Sequence, residues 1–124
     1  MHTTKAEIPA VQLGGYEGRI VDEGDLRVAF ESMPADFPGR EFFRGLPDDR
    51  CQCPHHGYVI SGSFRVDYPD GREEVVKAGE AYVLDPGHYV HTLEPCELLE
   101  FSPMAEHEIT MAAIERNVAA MSAS

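Results

Sequence analysis

The residues best suited to chemistry lie in one stretch, Cys51-Gln52-Cys53-Pro54-His55-His56-Gly57-Tyr58-Val59-Ile60-Ser61-Gly62. Side chains alternate along an extended chain, so Asp49, Cys51, Cys53 and His55 fall on one face and Gln52, Pro54 and His56 on the other. That face joins a carboxylate, two thiols and an imidazole. Thiolate with imidazole is the ligand mix favoured by zinc and other late transition metals. The structural alternative is that the cysteines are small core hydrophobes and the histidine only hydrogen-bonds a neighbour. A second patch runs from Gly79 through Asp85-Pro86-Gly87 to His88 and His91. The two histidines face opposite ways by parity, so only one of them looks inward.

The chain that must position these groups has 124 residues and a mass of 13.7 kDa, the size of one domain. With 43% hydrophobic residues it has material for a core and is not a disordered chain. Ten basic against 22 acidic residues give a net charge of −12, so no basic patch forms and neither nucleic acid nor an anionic membrane is an expected partner. Apolar runs such as Ala81-Tyr82-Val83-Leu84 are far short of the roughly 20 residues a membrane span needs. No apolar stretch follows Met1-His2-Thr3-Thr4-Lys5, and a cytoplasmic location is expected. Three cysteines, an odd number, argue against a disulfide framework.

Glycine and proline punctuate short segments rich in Val, Ile, Tyr and Phe, a pattern that predicts an all-β sandwich or barrel. Phe64, Val66 and Tyr68 alternate with Arg65 and Asp67, then Pro69-Asp70-Gly71-Arg72 turns the chain into Glu73-Glu74-Val75-Val76, a hairpin. Further strands read Leu26 to Phe30 and Glu97 to Phe101, the latter with Leu99 and Phe101 on one face and Leu98 and Glu100 on the other. Ser102-Pro103 reads as an N-cap with proline in the first helical position. Met111, Ile114, Val118 and Met121 then form the apolar stripe of a helix packed on the barrel or on a neighbouring subunit. The expected divisions are an N-terminal arm over 1–14, a barrel over 15–103 and a helix over 104–124.

Taken together the two patches resemble the motifs of a small single-domain cupin. Cupins carry a His-x-His pair followed by a Glu and a Gly, and later a Gly followed by Pro-x-Gly and a His. Tyr58-Val59-Ile60-Ser61-Gly62 matches the tail of the first motif, and Gly79 through Pro86-Gly87-His88 matches the second. Gly45-Leu46-Pro47-Asp48-Asp49-Arg50-Cys51-Gln52-Cys53-Pro54-His55, followed by Gly57-Tyr58-Val59, resembles a group of small bacterial cupins that carries no assigned activity. The resemblance spans about residues 25–103. Its metal positions are changed: His55 stands in the glutamate slot, Cys51 and Asp49 in the histidine slots, and Val90 where the last histidine belongs, with His91 one further on.

The resemblance implies a double-stranded β-helix, the jelly-roll barrel, with one C-terminal helix. It also implies a homodimer, with Ile8, Val11 and Leu13 of the arm able to cover a sheet edge. Two functions follow as expectations. The first is a metalloenzyme for a small organic molecule, with a zinc-like divalent ion on Cys51, Cys53, His55 and either His88 or His91. The second is a non-catalytic module whose pocket uses Tyr58, Tyr82 and Glu100 to hold a small ligand. A barrel packed shut, with Cys51 and Cys53 as core residues, is the third reading.

Overall fold

Segments that alternate in polarity between turn residues become antiparallel strands that bury one face each. A computed structural model describes residues 1–122. Among them it holds β1 (Val11–Leu13), β2 (Tyr16–Glu23), β3 (Leu26–Met33), β4 (His55–Ser61), β5 (Ser63–Asp67), β6 (Glu73–Lys77), β7 (Ala81–Leu84), β8 (Tyr89–Thr92) and β9 (Cys96–Pro103), then the helix α1 (Met104–Ser122). Single turns of 3-10 helix lie at Lys5–Glu7, Arg40–Phe43 and Pro47–Asp49. One sheet has the order β1-β2-β3-β9-β4-β7, the other β6-β5-β8. This is an all-β jelly roll with one C-terminal helix, the fold that the resemblance implies.

The inner faces of the two sheets meet in a core built on Val59, Phe64, Val66, Leu84 and Leu98, each at most 3% exposed. The predicted hairpin is β5–β6, with Ser63 opposite Lys77 and Asp67 opposite Glu73. On β9 the inward side carries Leu98, Glu100 and Ser102, while Leu99 and Phe101 lie outside. On β3, which pairs with β9 along its whole length, the matching inward residues include Arg27, Ala29 and Glu31. Polar groups therefore enter the barrel from two neighbouring central strands. The amino-terminal segment covers the β2 edge of its own sheet as β1, and Arg19 Nη1 donates to the carbonyls of Lys5 and Ile8.

The helix departs from its sequence reading in two ways. Ser102 and Pro103 are the last residues of β9, and α1 starts at Met104, whose amide donates to Asp25 O at 2.8 Å. Ser102 does not cap the helix because its hydroxyl is turned inward to His55. The buried face of α1 also lies a turn earlier than the predicted stripe. It carries His107, Thr110 and Met111, with Ile114 half-buried, while Met121 is exposed. Asn117 Nδ2 ties the helix to the Arg40–Phe43 turn by donating to Phe42 O and Arg44 O at 2.8 and 3.0 Å.

Burial, more than residue type, sets the energetics of the strands. Val66→Ala, at a fully buried position, is expected to lower unfolding free energy by about 2 kcal/mol. Val75→Ala on the neighbouring strand, at a position 46% exposed, should change it by no more than about 0.5 kcal/mol. Urea unfolding of the two variants beside the parent checks the contrast.

Candidate metal and acid site in the barrel

A single antiparallel bridge sets the first part of the site. Cys51 N donates to His88 O at 3.2 Å and Gly87 N donates to Cys51 O at 2.8 Å. Directly opposed residues share a face, so the thiol and the imidazole point the same way. His55, the first residue of β4, completes the group. The ligand atoms of Cys51, His55 and His88 lie within 4.8 Å of one another, and all three residues are buried. Cys51 Sγ is 3.6 Å from His55 Nε2 and 3.3 Å from Thr110 Oγ1 on α1.

Hydrogen bonds orient both rings and fix the tautomer of His88. His88 Nδ1 lies 2.8 Å from Asp85 O, which only accepts, so Nδ1 carries the proton and Nε2 keeps its lone pair. His55 Nδ1 faces Ser102 Oγ at 2.7 Å and Glu100 Oε2 at 3.4 Å, which aims Nε2 at Cys51. Burial lowers both imidazoles to a pKa of about 3, and it pushes the Cys51 thiol up to about 11.

The second part is a pair of buried carboxyl groups, Glu31 on β3 and Glu100 on β9, with oxygens within 4.8 Å of each other. Burial raises both above the usual carboxyl range, Glu31 further because Glu100 stands beside it. Two phenols serve them. Tyr16 donates to Glu31, and Tyr82 donates to Glu100 Oε1 at 2.8 Å. Tyr82 on β7 reaches Glu100 two strands away by lying across Gly57, which pairs with both residues. A Cβ on Gly57 would come within 2.4 Å of the Tyr82 ring. Gly18, opposite Glu31, gives Tyr16 the same kind of seat, at 2.5 Å from its hydroxyl.

His107 of α1 is the third titratable group within 4.8 Å of this pair. Its Nδ1 is 3.0 Å from Arg27 Nη1. A guanidinium only donates, so Nδ1 accepts and the neutral ring carries its hydrogen on Nε2. Burial lowers its pKa to about 4. Arg27 is in turn held by Asp22 through Nε and Nη2 and by Glu108 through Nη2 at 2.7 Å. His107 therefore differs from His88. Its Nε2 carries a hydrogen, whereas His88 Nε2 keeps its lone pair.

The structure brings together Cys51, His55, His88, Tyr82 and Glu100 of the residues singled out in the sequence. Cys53 is buried but lies apart, its thiol donating to Pro54 O at 3.4 Å. The chain between Cys51 and His55 is not a strand, so the alternation that places Cys53 beside Cys51 fails there. For the same reason Asp49 closes an exposed 3-10 turn and accepts from Gly45 N. His91 sits on β8 against Asp36, with Nε2 3.4 Å from its carboxylate, outside the cluster. Tyr58 is 46% exposed on the outer side of β4. Sequence reasoning missed Glu31, His107, Thr110 and Tyr16. The signal for the helix pair was a histidine and a threonine at the spacing of Met111 and Ile114.

Around these groups is a cavity of about 100 Å³, walled on its apolar side by Phe37, Phe42, Phe43, Phe64, Met111 and Ile114. The fold, two antiparallel sheets in this order, recurs in solved structures. An RmlC-like cupin from Shewanella frigidimarina superposes with a TM-score of 0.60 at 16% identity, over 82% of this chain and 88% of that one. The chain has the cupin fold. KdgF from Halomonas sp. matches with a TM-score of 0.56 at 22% identity, over 81% of this chain and 90% of that one. The polyketide cyclase RemF from Streptomyces resistomycificus matches at 0.58 and 19%, over 84% and 79%. No protein-family model and no curated protein matches the chain. The cupin barrel thus fixes where the site is and leaves its chemistry to these side chains.

The buried histidines make the fold acid-sensitive, and the sign follows from proton linkage. A histidine whose folded pKa lies below its unfolded value binds fewer protons in the native state. Stability is then fully present above about pH 6.5 and is lost as pH falls toward the folded pKa. For His107 that window runs from about 6.5 down to about 4 and is worth roughly 3 kcal/mol. Glu31 and Glu100 act in the opposite sense, losing stability as pH rises through their raised values. Comparing chelator-treated parent with His107→Asn isolates the histidine, since Asn keeps an acceptor for Arg27. The variant should lose less stability than the parent between pH 6.5 and 4 in urea titrations. Equal losses would show that His107 does not drive the acid response.

Proposed function

We propose that this chain is a metal-dependent cupin that acts on a small organic molecule in the barrel cavity, with the ion on Cys51, His55 and His88. The observation that carries the reading is the convergence of three ligand atoms within 4.8 Å, two of them imidazole nitrogens whose other nitrogen is already oriented. The spacing fits the ion. A tetrahedral zinc with ordinary bond lengths puts its sulfur and nitrogen ligands about 3.6 Å apart, and Cys51 Sγ to His55 Nε2 is 3.6 Å. One thiolate and two neutral imidazoles favour a zinc-like divalent ion.

When bound, such an ion supplies Lewis acidity toward a carbonyl or a water molecule. The chain's own residues supply the rest. Ser102 and Asp85 hold the two rings in place. Thr110 stands beside the thiol and offers a hydroxyl to a bound oxygen. Glu31 and Glu100 hold a proton at the far side of His55, and His107 presents an N–H toward them. The aromatic wall excludes water. This combination suits proton transfer on a polarised oxygen-bearing substrate.

Elemental analysis after zinc loading and dialysis tests the ligand set. The parent is expected to hold one equivalent, and His55→Ala and Cys51→Ser are expected to lose it with the β-rich circular dichroism retained. His56→Ala, Cys53→Ser and His91→Ala should keep the metal. Retention by His55→Ala would overturn the assignment. A parent that holds no zinc would leave the non-catalytic ligand-binding module as the remaining reading.

A further inference from the structure

We propose that the cavity is built for an uncharged molecule with a hydrocarbon body and one oxygen-bearing head, and that it excludes carboxylates and phosphates. The inference deepens the reading of the barrel as a small-molecule site, and it does not depend on the metal.

The argument begins with charge. Among the described residues the cavity wall contains no lysine and no arginine. The guanidinium behind it, Arg27, is committed to Asp22, Glu108 and His107. In the metal-free chain an anion entering the cavity finds no counter-charge and loses its hydration without compensation. It also meets the carboxyl groups of Glu31 and Glu100, and a chain of net charge −12 outside.

A cation is no better served. Glu31 accepts from Tyr16, Glu100 Oε1 accepts from Tyr82, and Glu100 Oε2 faces His55 Nδ1. The two carboxyl groups also stand within 4.8 Å of each other. An ammonium group would have to break bonds already made, between groups that are each fully buried.

What remains open is a neutral head and an apolar body. Phe37, Phe42, Phe43, Phe64, Met111 and Ile114 supply the body's contacts. The head meets polar groups at the Thr110 hydroxyl and the Cys51 thiol, which sit 3.3 Å apart, and at the His107 ring. A volume of about 100 Å³, at roughly 10–15 Å³ for each water-sized group, suits about seven to ten heavy atoms. Small ketones, aldehydes and phenols meet these conditions.

Three probes of similar shape separate the possibilities: acetophenone, benzoate and benzylammonium. Each is titrated by NMR into the full chain, first after chelator treatment and then after zinc loading. Acetophenone is expected to bind the chelator-treated protein, with benzoate and benzylammonium weaker by about 100-fold or more. Ile114→Trp, at a half-buried position on the cavity wall, should abolish acetophenone binding while leaving the circular dichroism unchanged. Benzoate or benzylammonium binding as tightly as acetophenone would overturn the proposal. So would the failure of all three to bind, or acetophenone binding that Ile114→Trp leaves intact. Because the first arm is run without metal, a failed zinc assignment leaves its result standing. A gain in acetophenone affinity on zinc loading would report on the metal reading alone.

Discussion

Two carboxyl groups buried side by side, with no lysine or arginine bonded to either, are the constraint around which the barrel interior is organised. Placing ionisable groups in an apolar core is expensive unless hydrogen bonds replace water. Here the replacements are phenols, and each phenol reaches its carboxyl only because the intervening position is glycine. Any side chain at Gly57 would occupy the space of the Tyr82 ring, and any side chain at Gly18 that of Tyr16. The outcome is an interior in which no buried side-chain nitrogen or oxygen among the described residues lacks a partner. These two backbone positions are thus fixed by the chemistry of residues one strand away.

The parts of this arrangement that follow from local pattern can be read in the sequence. Alternation gave the β5–β6 hairpin and put Glu100 on the opposite side of β9 from Phe101. Proximity in sequence put Cys51 and His55 in one candidate site. What could not be read depends on register between distant strands. Nothing local says that Glu31 faces Glu100, which is set by the β3–β9 pairing over some seventy residues of chain. Alternation also misleads where the backbone is not extended. It pairs Cys53 with Cys51 across a segment that has left the strand, and it cannot anticipate that a lone bridge turns His88 inward. The helix was read for its methionines, whereas its contribution to the site comes from the polar residues on the same face.

The likeness to solved cupin structures, all below 25% identity, is a likeness of fold. At the motif positions this chain has Asp49, Cys51, His55 and Val90, and the second imidazole of the cluster, His88, comes from outside them. The glutamates it does bring inward come from strands outside the motifs. Substituting sulfur for a histidine nitrogen shifts the site toward softer ions. Glu31, Glu100 and His107 form a second group of ligand-type atoms within 4.8 Å, beside that of Cys51, His55 and His88. The function proposed for the barrel gives these groups two jobs, ion holding and proton holding.

His55 is where those two jobs meet. Its Nε2 lies against Cys51, and its Nδ1 lies against Ser102 and Glu100, so one ring borders both clusters. The helix joins them a second time, with Thr110 on the thiol and His107 beside the carboxyl pair. Arg27 extends the chain of contacts to the surface through Asp22 and Glu108. The bonds that dock α1 on the barrel are therefore the bonds that orient the site's donors. A helix packed only by its apolar residues would close the cavity and leave His107 free to rotate. Held by Arg27, the ring has one tautomer and one direction, and that is why a charged residue is buried at this otherwise apolar seam.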